Sequence, residues 1–567
     1  MKMLVKLRKL LKTYSLDAYI VPKNDEFFSE YAFPNRLKTI SNFSGSAGFS
    51  IITNKANYLF VDGRYLIQSK IESGKKFNII EIPYTYPKDI LDYNKHKKIG
   101  YDPKLFTSST LERYFGNKYQ LIPIKKNLVD LIFLEKQKKE APFFKIDDKI
   151  AGETVASKID RLSKIVKKNK SDNIFVSAPE NVAWLLNIRG KDNPNSPIPN
   201  ARLIMDKRKN IFFFSNLNKT KNIKNKINYK RIKFYSFNEF YSILLKLDSL
   251  SFTIDKLTCS IFYQSLIHSK YKINNFEDPI YHLKSIKNNT EIENMRTAHI
   301  KDGVALTKFL YWIKQNKNFG FDELSLEKKL EFFRKKNKDY IYPSFNTIAG
   351  SGPNSAIIHY RSSKKTNRKI KKNDIFLCDS GGQYKYGTTD VTRTVCFKKP
   401  SEKIKNIFTR VLKGHIAVAT NNLNNIRKGY LIDKKARAAL NKINLDYGHG
   451  TGHGVGFFSN VHEGPQAISK FNSVELKEGM IVSNEPGYYK EGKFGIRIEN
   501  LVYIEKKNNK LKFKNLTMAP IDKDLINENL LTSNEKKYLI KYNLEIYNNI
   551  SKFLDKNERA WLLNSIQ

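Results

Sequence analysis

The segment Tyr447–Gly456 constrains the fold of this chain more than any other stretch. It reads YGHGTGHGVG, with glycine at every second position from Gly448 onward. Because glycine is a poor helix former, this pattern excludes a helix. An extended backbone points successive side chains to opposite faces, so one face is bare glycine, which is typical of close approach by another backbone. The side chains of the other face are those of His449, Thr451, His453 and Val455.

A nucleotide-binding loop is the alternative interpretation of these glycines. Such a loop requires the spacing G-x-G-x-x-G. Counted from Gly450, the last glycine position is occupied by Val455, and counted from Gly452 it is occupied by Phe457. The stretch therefore predicts two imidazoles on one face of an extended segment, and no nucleotide site.

Charge and cysteine content bear on partners and location. The 567 residues predict more than one domain, and their formal net charge is +46. Such a charge would suit nucleic acid or an anionic membrane if it were clustered, but the lysines are spread from Lys2 to Lys556. We therefore predict no nucleic-acid partner and no membrane partner. Three scattered cysteines without CxxC spacing, together with no signal peptide and no long apolar run, predict a reducing, cytoplasmic location.

The N-terminal half of the chain predicts two small α/β domains. A helical pattern followed by the apolar run Ala18–Val21 opens the first domain, which we place at residues 1–140. The charged, proline-containing stretch Glu135–Lys149 is the candidate linker. A second helix and the strand-like run Asn173–Val176 open a middle domain at residues 141–283. The similar order of elements suggests a shared architecture, although no sequence repeat supports it.

The pattern changes at Asn289, where long amphipathic helices alternate with strand-like runs. This alternation predicts an α+β domain, which we place at residues 284–513. His299 and His415 lie on the apolar faces of two of the helices and are interpreted as core residues. The main predicted strands are Ile375–Asp379, Val391–Phe397, Met480–Asn484 and Gly495–Tyr503.

The last part of the chain, residues 514–567, predicts a helical extension. Thr532 and Glu535 have the spacing of a capping box, and an apolar stripe follows them to near Trp561. The side chains expected to face inward are those of Leu539, Tyr542, Ile546, Ile550 and Phe553.

Two aspartates mark neighbouring strands of the third domain. Asp379 directly follows an apolar run, where a carboxylate is costly unless it is paired or binds a cation. Asp390 lies among threonines on the next predicted strand. Taken alone, either aspartate is explained as a turn former at a strand end.

Two glutamates and His453 complete the candidate set. Glu485 ends a predicted strand directly before a proline, and Glu499 is predicted to share a strand face with Arg497. Two aspartates, two glutamates and one histidine supply four bridging carboxylates and an imidazole. That donor set suits two divalent cations such as Mn²⁺.

The contexts of these five residues carry a family resemblance. In chain order they are LCDSGGQY, GTTDVTRT, GTGHGVG, NEPGYY and GIRIEN. They resemble the pita-bread metallopeptidases, which include methionine aminopeptidase, prolidase and aminopeptidase P. The stretches PSFNTIAGSGPNSAIIHY, VHEGP, NIRG and NLTMAPIDKDLI are similar to the three-domain, cytosolic type of Xaa-Pro aminopeptidase. The resemblance spans essentially the whole chain.

The resemblance implies an α+β fold, in which a C-terminal pita-bread catalytic domain follows two smaller α/β domains of the creatinase N-terminal type. It also implies two metal ions, usually manganese. His359 is implied to act as proton shuttle or carbonyl contact, while His449 and His462 line the pocket around the scissile peptide. The implied metal ligands are Asp379, Asp390, His453, Glu485 and Glu499.

We therefore expect an aminopeptidase that releases the N-terminal residue from peptides with proline at the second position. A hydroxide shared by two cations would attack the carbonyl, and Glu485 would pass its proton to the leaving nitrogen. One alternative is a prolidase, which is restricted to dipeptides. The other is a non-catalytic pita-bread protein of the histone-chaperone or RNA-binding kind, which would be expected to have lost ligands that are all present here. A homodimer is also expected.

Overall fold

The computed structural model describes residues 2–31, 33–133, 140–316 and 320–566. The chain divides into two compact units, Met1–His282 and Leu283–Gln567. Part of the predicted linker, residues 135–139, lies outside the described residues. The remainder is more ordered than expected, since it contains a short strand and the start of a helix. None of the described helices has both the length and the apolar composition needed to cross a membrane.

The first unit contains two mixed sheets of six strands each. The first sheet consists, in chain order, of Ala18–Pro22 (β1), Phe49–Thr53 (β2), Asn57–Asp62 (β3), Asn78–Ile82 (β4), Lys98–Tyr101 (β5) and Gln120–Pro123 (β6). A separate two-stranded ladder pairs Phe144–Lys145 (β7) with Ile188–Arg189 (β9). The second large sheet consists of Asn173–Val176 (β8), Arg202–Met205 (β10), Ile211–Phe214 (β11), Ile232–Tyr235 (β12), Ser251–Ile254 (β13) and Lys272–Asn275 (β14).

The two large sheets have the same topology. Their strand orders are β4-β3-β2-β1-β5-β6 and β12-β11-β10-β8-β13-β14. In each, the first strand in sequence pairs antiparallel with one neighbour and parallel with the other. Strands β1 and β8 are buried along their whole length, which explains the apolar runs at residues 18–21 and 174–176. The suggested shared architecture is confirmed.

The helices of this unit are Lys2–Thr13 (α1), Arg36–Ser41 (α2), Leu66–Ser73 (α3), Pro87–Ile90 (α4), Ser108–Phe115 (α5), Asp148–Ala151 (α6), Val155–Lys168 (α7), Pro179–Leu185 (α8), Leu217–Thr220 (α9), Phe240–Lys246 (α10) and Ile261–His268 (α11). The next helix, Pro279–Ser285 (α12), spans the division between the two units. Helix α1 forms as predicted and buries Leu4, Leu7 and Leu11, which helical spacing brings to one face.

The second unit combines long helices with antiparallel sheets, as an α+β domain requires. Its helices are Asn289–Gln315 (α13), Glu323–Lys335 (α14), Glu402–Ala419 (α15), Gly429–Asn441 (α16), Ser533–Ile550 (α17) and Lys556–Ile566 (α18). Its strands are Tyr340–Pro343 (β15), Ile348–Ser351 (β16), Ile375–Ser380 (β17), Gly382–Tyr384 (β18), Gly387–Thr388 (β19), Val391–Cys396 (β20), Gly452–Gly454 (β21), Glu463–Ile468 (β22), Ile481–Asn484 (β23), Gly487–Lys490 (β24), Phe494–Arg497 (β25), Asn500–Lys507 (β26) and Lys510–Asn515 (β27).

Most of the candidate residues lie in, or directly beside, the strands of two sheets of this unit. The strand order of one is β16-β17-β20, and that of the other is β22-β21-β23-β26-β27. The ladder β17–β20 places Asp379 opposite Thr392, and Asp390 lies one residue before β20 begins. The predicted neighbouring strands are confirmed, with Asp379 in one of them and Asp390 directly before the other.

The predicted single strand Gly495–Tyr503 is wrong. Strand β25 ends at Arg497 and pairs with β24, whereas β26 begins at Asn500 and pairs with β23. The chain crosses from one sheet to another at residues 498–499. The backbone N–H of Ile498 donates to the carbonyl oxygen of Pro486, and that of Glu499 donates to the carbonyl oxygen of Thr392. Glu499 therefore lies between strands and does not share a strand face with Arg497.

The C-terminal helix begins as predicted but ends early. Thr532 and Glu535 form the capping box of α17, and that helix ends at Ile550. A 3₁₀ turn over Ser551–Phe553 then changes the direction of the chain. Phe553, predicted to face inward, is consequently 50% exposed, while the neighbouring Leu554 is buried.

His299 on α13 and His415 on α15 are buried core residues, as predicted. Burial lowers the pKa of His299 to about 4 and, with the charge of Arg393, that of His415 to about 3. In the unfolded chain both would titrate near 6.5. Below that pH the unfolded state binds protons that the folded state excludes. Stability should therefore fall as pH drops from about 6.5 towards 4, by about 1.4 kcal/mol per pH unit for each histidine.

Urea unfolding of the wild type and of a His299→Leu variant between pH 7 and pH 4.5 tests this expectation. In the variant, the free energy of unfolding should change less steeply with pH, because one titrating histidine has been removed. An unchanged slope would mean that His299 is not the titrating group.

Candidate metal centre

The glycine-rich segment places His453 between two neighbouring backbones. Its regular strand is shorter than predicted, since only Gly452–Gly454 forms β21, between β22 and β23. A Cβ atom at Gly452 would lie 2.0 Å from the carbonyl oxygen of Ser483, and one at Gly454 would lie 2.1 Å from that of Glu463. The close backbone approach that the bare face predicted is therefore present on both sides of His453.

Arg437 of α16 holds the residues that precede this strand. Its guanidinium donates to the carbonyl oxygens of Tyr447 (2.8 Å) and His449 (2.6 Å) and pairs with Asp433 at 2.8 Å. Asp433 in turn accepts a hydrogen bond from the Thr451 hydroxyl at 2.6 Å. This arginine was not identified from the sequence, because nothing in its local pattern distinguishes it from other basic residues of an amphipathic helix.

Three of the candidate ligands form one cluster. One ligand atom from each of Asp390, His453 and Glu499 lies within 4.8 Å of the other two. His453 Nε2 is 3.4 Å from Asp390 Oδ2 and 3.6 Å from Glu485 Oε1. Glu485 is half-buried and also accepts from the Ser483 hydroxyl at 3.1 Å. The four residues thus converge from β21, the start of β20, the end of β23 and the crossing before β26.

Asp379 faces the same cluster and has one free oxygen. Its Oδ2 accepts from Arg497 Nη2 at 2.6 Å. Its Oδ1 is buried, and no hydrogen-bond partner for it exists within the described part of the chain. A buried carboxylate oxygen without a donor is costly unless a cation completes it. This orphaned atom, together with the set of carboxylate and imidazole donors, fits divalent metal ions.

The electrostatics of the cluster favour added positive charge. Burial raises the pKa of Asp390 to about 6, against the hydrogen bond from His453, and the charge of Asp379 adds to the rise. Burial also raises the pKa of Glu499 well above its ordinary value, as do the charges of Asp390 and Glu485. Burial by itself would lower the pKa of His453, but Asp390 and Glu485 raise it to about 9. These carboxylates repel one another, and a bound cation would reduce that repulsion.

His449 is connected to Asp379 through the side chains of Tyr489 and Arg497, neither of which was a candidate site residue from the sequence. His449 Nε2 is 2.8 Å from the hydroxyl of Tyr489. Arg497 donates to that hydroxyl at 2.6 Å through Nη1 and to Asp379 through Nη2. A continuous chain of hydrogen bonds therefore connects His449, which is predicted to line the substrate pocket, with the candidate ligand Asp379.

His462 and His359 lie outside the ligand cluster. The rings of His462 and His453 are in edge-to-face contact, with centroids 4.4 Å apart, and His462 is exposed. His359 lies in the turn that follows the 3₁₀ helix Gly352–Ala356 and is half-buried. His359 is therefore not a fully buried core residue. The preceding carbonyl, that of Ile358, accepts a long hydrogen bond of 3.5 Å from Arg497.

A buried ion network and a buried arginine lie next to the candidate centre. Glu463, which follows His462, pairs with Lys284 at 2.8 Å and with Lys287 at 2.5 Å. Arg393 donates to the carbonyl of Glu499 at 2.7 Å and to the hydroxyl of Tyr542 on α17 at 2.9 Å. The C-terminal helix therefore braces the backbone that carries Glu499.

A second group of possible ligands, Cys396, Asp522 and Asp524, lies elsewhere in the domain. The ammonium group of Lys314 is 2.6 Å from Asp522 and 3.1 Å from Asp524. Because this lysine already supplies the positive charge, we interpret the group as an ion-pair cluster.

Comparison with known families covers almost the entire chain. Residues 293–506 match metallopeptidase family M24, and residues 509–567 match the C-terminal region of peptidase M24. Residues 3–131 and 135–291 match creatinase/prolidase N-terminal domains.

Individual relatives are similar over their full length. The chain is 39% identical to a probable Xaa-Pro aminopeptidase P of Laccaria bicolor, covering 99% of this chain and 92% of the relative. The corresponding protein of Coprinopsis cinerea is 37% identical, with 99% and 97% covered.

Solved structures show the same similarity. A Caenorhabditis elegans X-prolyl aminopeptidase, described as a cytosolic enzyme with a di-nuclear active site, superimposes with a TM-score of 0.92 at 30% identity, covering 100% of this chain and 99% of that one. A prolidase from Thermococcus sibiricus gives a TM-score of 0.53 at 28% identity and covers 65% of this chain and 98% of its own.

Proposed function

The chain belongs to metallopeptidase family M24, and we propose that it is an aminopeptidase that releases the first residue of peptides with proline in second position. The observation that carries this proposal is the full-length similarity to X-prolyl aminopeptidases, with 100% of the chain matched by the nematode enzyme. The prolidase matches 65% of the chain. The complete coverage by the X-prolyl aminopeptidase thus favours the aminopeptidase over the prolidase alternative.

We propose that Asp379, Asp390, His453, Glu485 and Glu499 hold two divalent metal ions, and that these ions are manganese. The free Oδ1 of Asp379 and the mutual repulsion of the buried carboxylates support this assignment. The donors are oxygen and imidazole nitrogen without thiolate, which suits Mn²⁺. Because all five proposed ligands are present, a non-catalytic binding role is disfavoured.

Bound divalent cations supply acidity to water and polarise the peptide carbonyl. Glu485, half-buried beside His453, is placed to accept a proton from the attacking water and to donate it to the leaving nitrogen. His359 contributes a proton or a hydrogen bond to the carbonyl oxygen from its turn outside the ligand cluster. Arg497 holds and orients the Asp379 carboxylate through a contact of 2.6 Å.

Proline must be recognised by shape. The nitrogen of an Xaa-Pro bond carries no hydrogen, so the protein cannot identify it by accepting a hydrogen bond from it. We propose that His449 and His462 form the walls against which the proline ring packs. His449 is held there by Tyr489, whose hydroxyl is 2.8 Å from its Nε2.

The direct test is cleavage by the purified full-length protein with Mn²⁺. Peptides of the Arg-Pro-Pro type should lose their first residue, whereas Xaa-Ala controls should remain intact. An Asp390→Asn variant is the matched control and should be inactive on every peptide. Cleavage confined to Xaa-Pro dipeptides would support prolidase, and no cleavage of any peptide would support the non-catalytic alternative.

Several expectations from the sequence continue as proposals. We propose that the chain has four parts, at residues 1–140, 141–283, 284–513 and 514–567, and that it acts as a cytoplasmic homodimer. We also propose that its basic charge is dispersed and serves no nucleic-acid or membrane partner.

A further inference from the structure

Glu323 is a fully buried carboxylate at the first position of α14. Its Oε1 accepts from the backbone N–H of Ser351 at 2.8 Å. Its Oε2 accepts from the hydroxyl of Tyr360 at 2.7 Å and from the N–H of Arg368 at 3.1 Å. The side-chain amide of Asn354 lies within 3.1 Å of both oxygens. A helix N-terminus favours the negative charge of this group.

All of these donors come from one stretch of chain, residues 351–368, which we call the His359 segment. Ser351 and Asn354 lie at its beginning, Arg368 lies at its end, and Tyr360 directly follows His359. One carboxylate therefore closes the segment and also binds the residue next to His359. These donor groups are held together only in the folded chain, where they share one acceptor. The Glu323 carboxylate therefore determines the conformation of the segment.

The opposite side of the His359 segment contacts β25, the strand that carries Arg497, which pairs with Asp379. Ser355 Oγ accepts from the N–H of Gly495 at 2.7 Å, and a Cβ atom on Gly495 would lie 1.9 Å from the Ser355 carbonyl oxygen. Arg497, which pairs with Asp379, reaches the carbonyl of Ile358. The ring of Tyr360 packs in an apolar cluster that includes Leu377 and Tyr489. The segment is thus held between Glu323 and the strand that carries Arg497.

We propose that Glu323 is a positioning residue for His359. Its carboxylate fixes Tyr360 and both ends of the segment, and so fixes the distance of the His359 imidazole from the reacting carbonyl. Glutamine cannot replace it without loss, because its amide group would face the N–H donors of Ser351 or Arg368 with another donor. This inference rests on the proposed function, since it gives His359 a role in turnover.

A double-mutant cycle tests the proposal in the full-length, Mn²⁺-loaded protein. Glu323→Gln should retain its metal and lower kcat by about 10²-fold, the scale of a 1 Å misplacement of a reacting group, with KM little changed. If Glu323 acts through His359, the variant Glu323→Gln/His359→Ala should have the same kcat as His359→Ala alone. Multiplicative losses in the double variant, or an unchanged kcat in Glu323→Gln, would overturn the proposal.

Two further variants provide a matched control and an alternative if Glu323→Gln does not fold. Glu331→Gln is the matched control on the same helix, since Glu331 accepts from Tyr340 outside the His359 segment, and it should leave kcat unchanged. If Glu323→Gln does not fold, Tyr360→Phe removes one hydrogen bond to Glu323 while keeping the ring, and it should show the same non-additivity with His359→Ala. Full activity of His359→Ala would instead contradict the role of His359 in the proposed function.

Discussion

Replacing His359 with alanine should lower turnover by about 10²–10⁴-fold, the usual scale for the loss of a proton-transfer group. His359 lies in a turn outside the cluster formed by Asp390, His453 and Glu499, and it is half-buried. The variant should therefore keep its fold and its metal. Turnover number and metal per chain, the latter by elemental analysis, are the two measurements.

The control for this prediction is His453→Ala. His453 Nε2 lies 3.4 Å from Asp390 and 3.6 Å from Glu485, so its loss removes a proposed ligand. Metal occupancy should fall first, and excess Mn²⁺ should restore part of the activity. The same excess should restore nothing in His359→Ala. A well-folded His359→Ala protein with full activity would remove this histidine from the mechanism.

Replacing Arg497 with methionine should destabilise the metal-free protein by about 3–5 kcal/mol, the cost of breaking a buried ion pair by removing one partner. Arg497 and Asp379 are both buried and are 2.6 Å apart. Without the guanidinium, the Asp379 carboxylate is left uncompensated. In the metal-loaded protein a cation bound to Asp379 would offset much of this cost. Urea unfolding of Arg497→Met with and without Mn²⁺ measures the difference.

Arg334→Met provides the matched control for the Arg497 experiment. Arg334 forms an equally buried pair with Asp302 at 2.8 Å, and Asp302 is not a proposed ligand. Its loss should destabilise the protein to the same extent with and without Mn²⁺. If Arg497→Met behaved in the same way as Arg334→Met, no cation would be bound at Asp379.

The local elements of the fold were largely predictable because they depend on short-range patterns. Strands such as Ala18–Pro22 and Asn173–Val176 consist mainly of apolar residues and are buried along their whole length. The cap at Thr532 is predictable because its partner Glu535 is three residues away. The predicted boundaries were wrong where the chain changes direction. The predicted strand Gly495–Tyr503 is interrupted at residues 498–499, and the C-terminal helix ends at Ile550. No local pattern distinguishes a continuous buried strand from two that cross between sheets.

The sequence by itself determined the chemistry of the candidate centre. Four carboxylates and His453, each in a motif of glycine, threonine or proline, specify a donor set for divalent cations, and alternating glycines require close backbones. The partners of those groups were decided only by tertiary structure. Arg497 reaches Asp379 across 118 positions and Arg437 reaches His449 across 12. Glu323 reaches Tyr360 across 37. Hydrogen bonds and buried ion pairs depend on distances of about 3 Å in space, which residue type and spacing along a chain do not encode until the chain has folded.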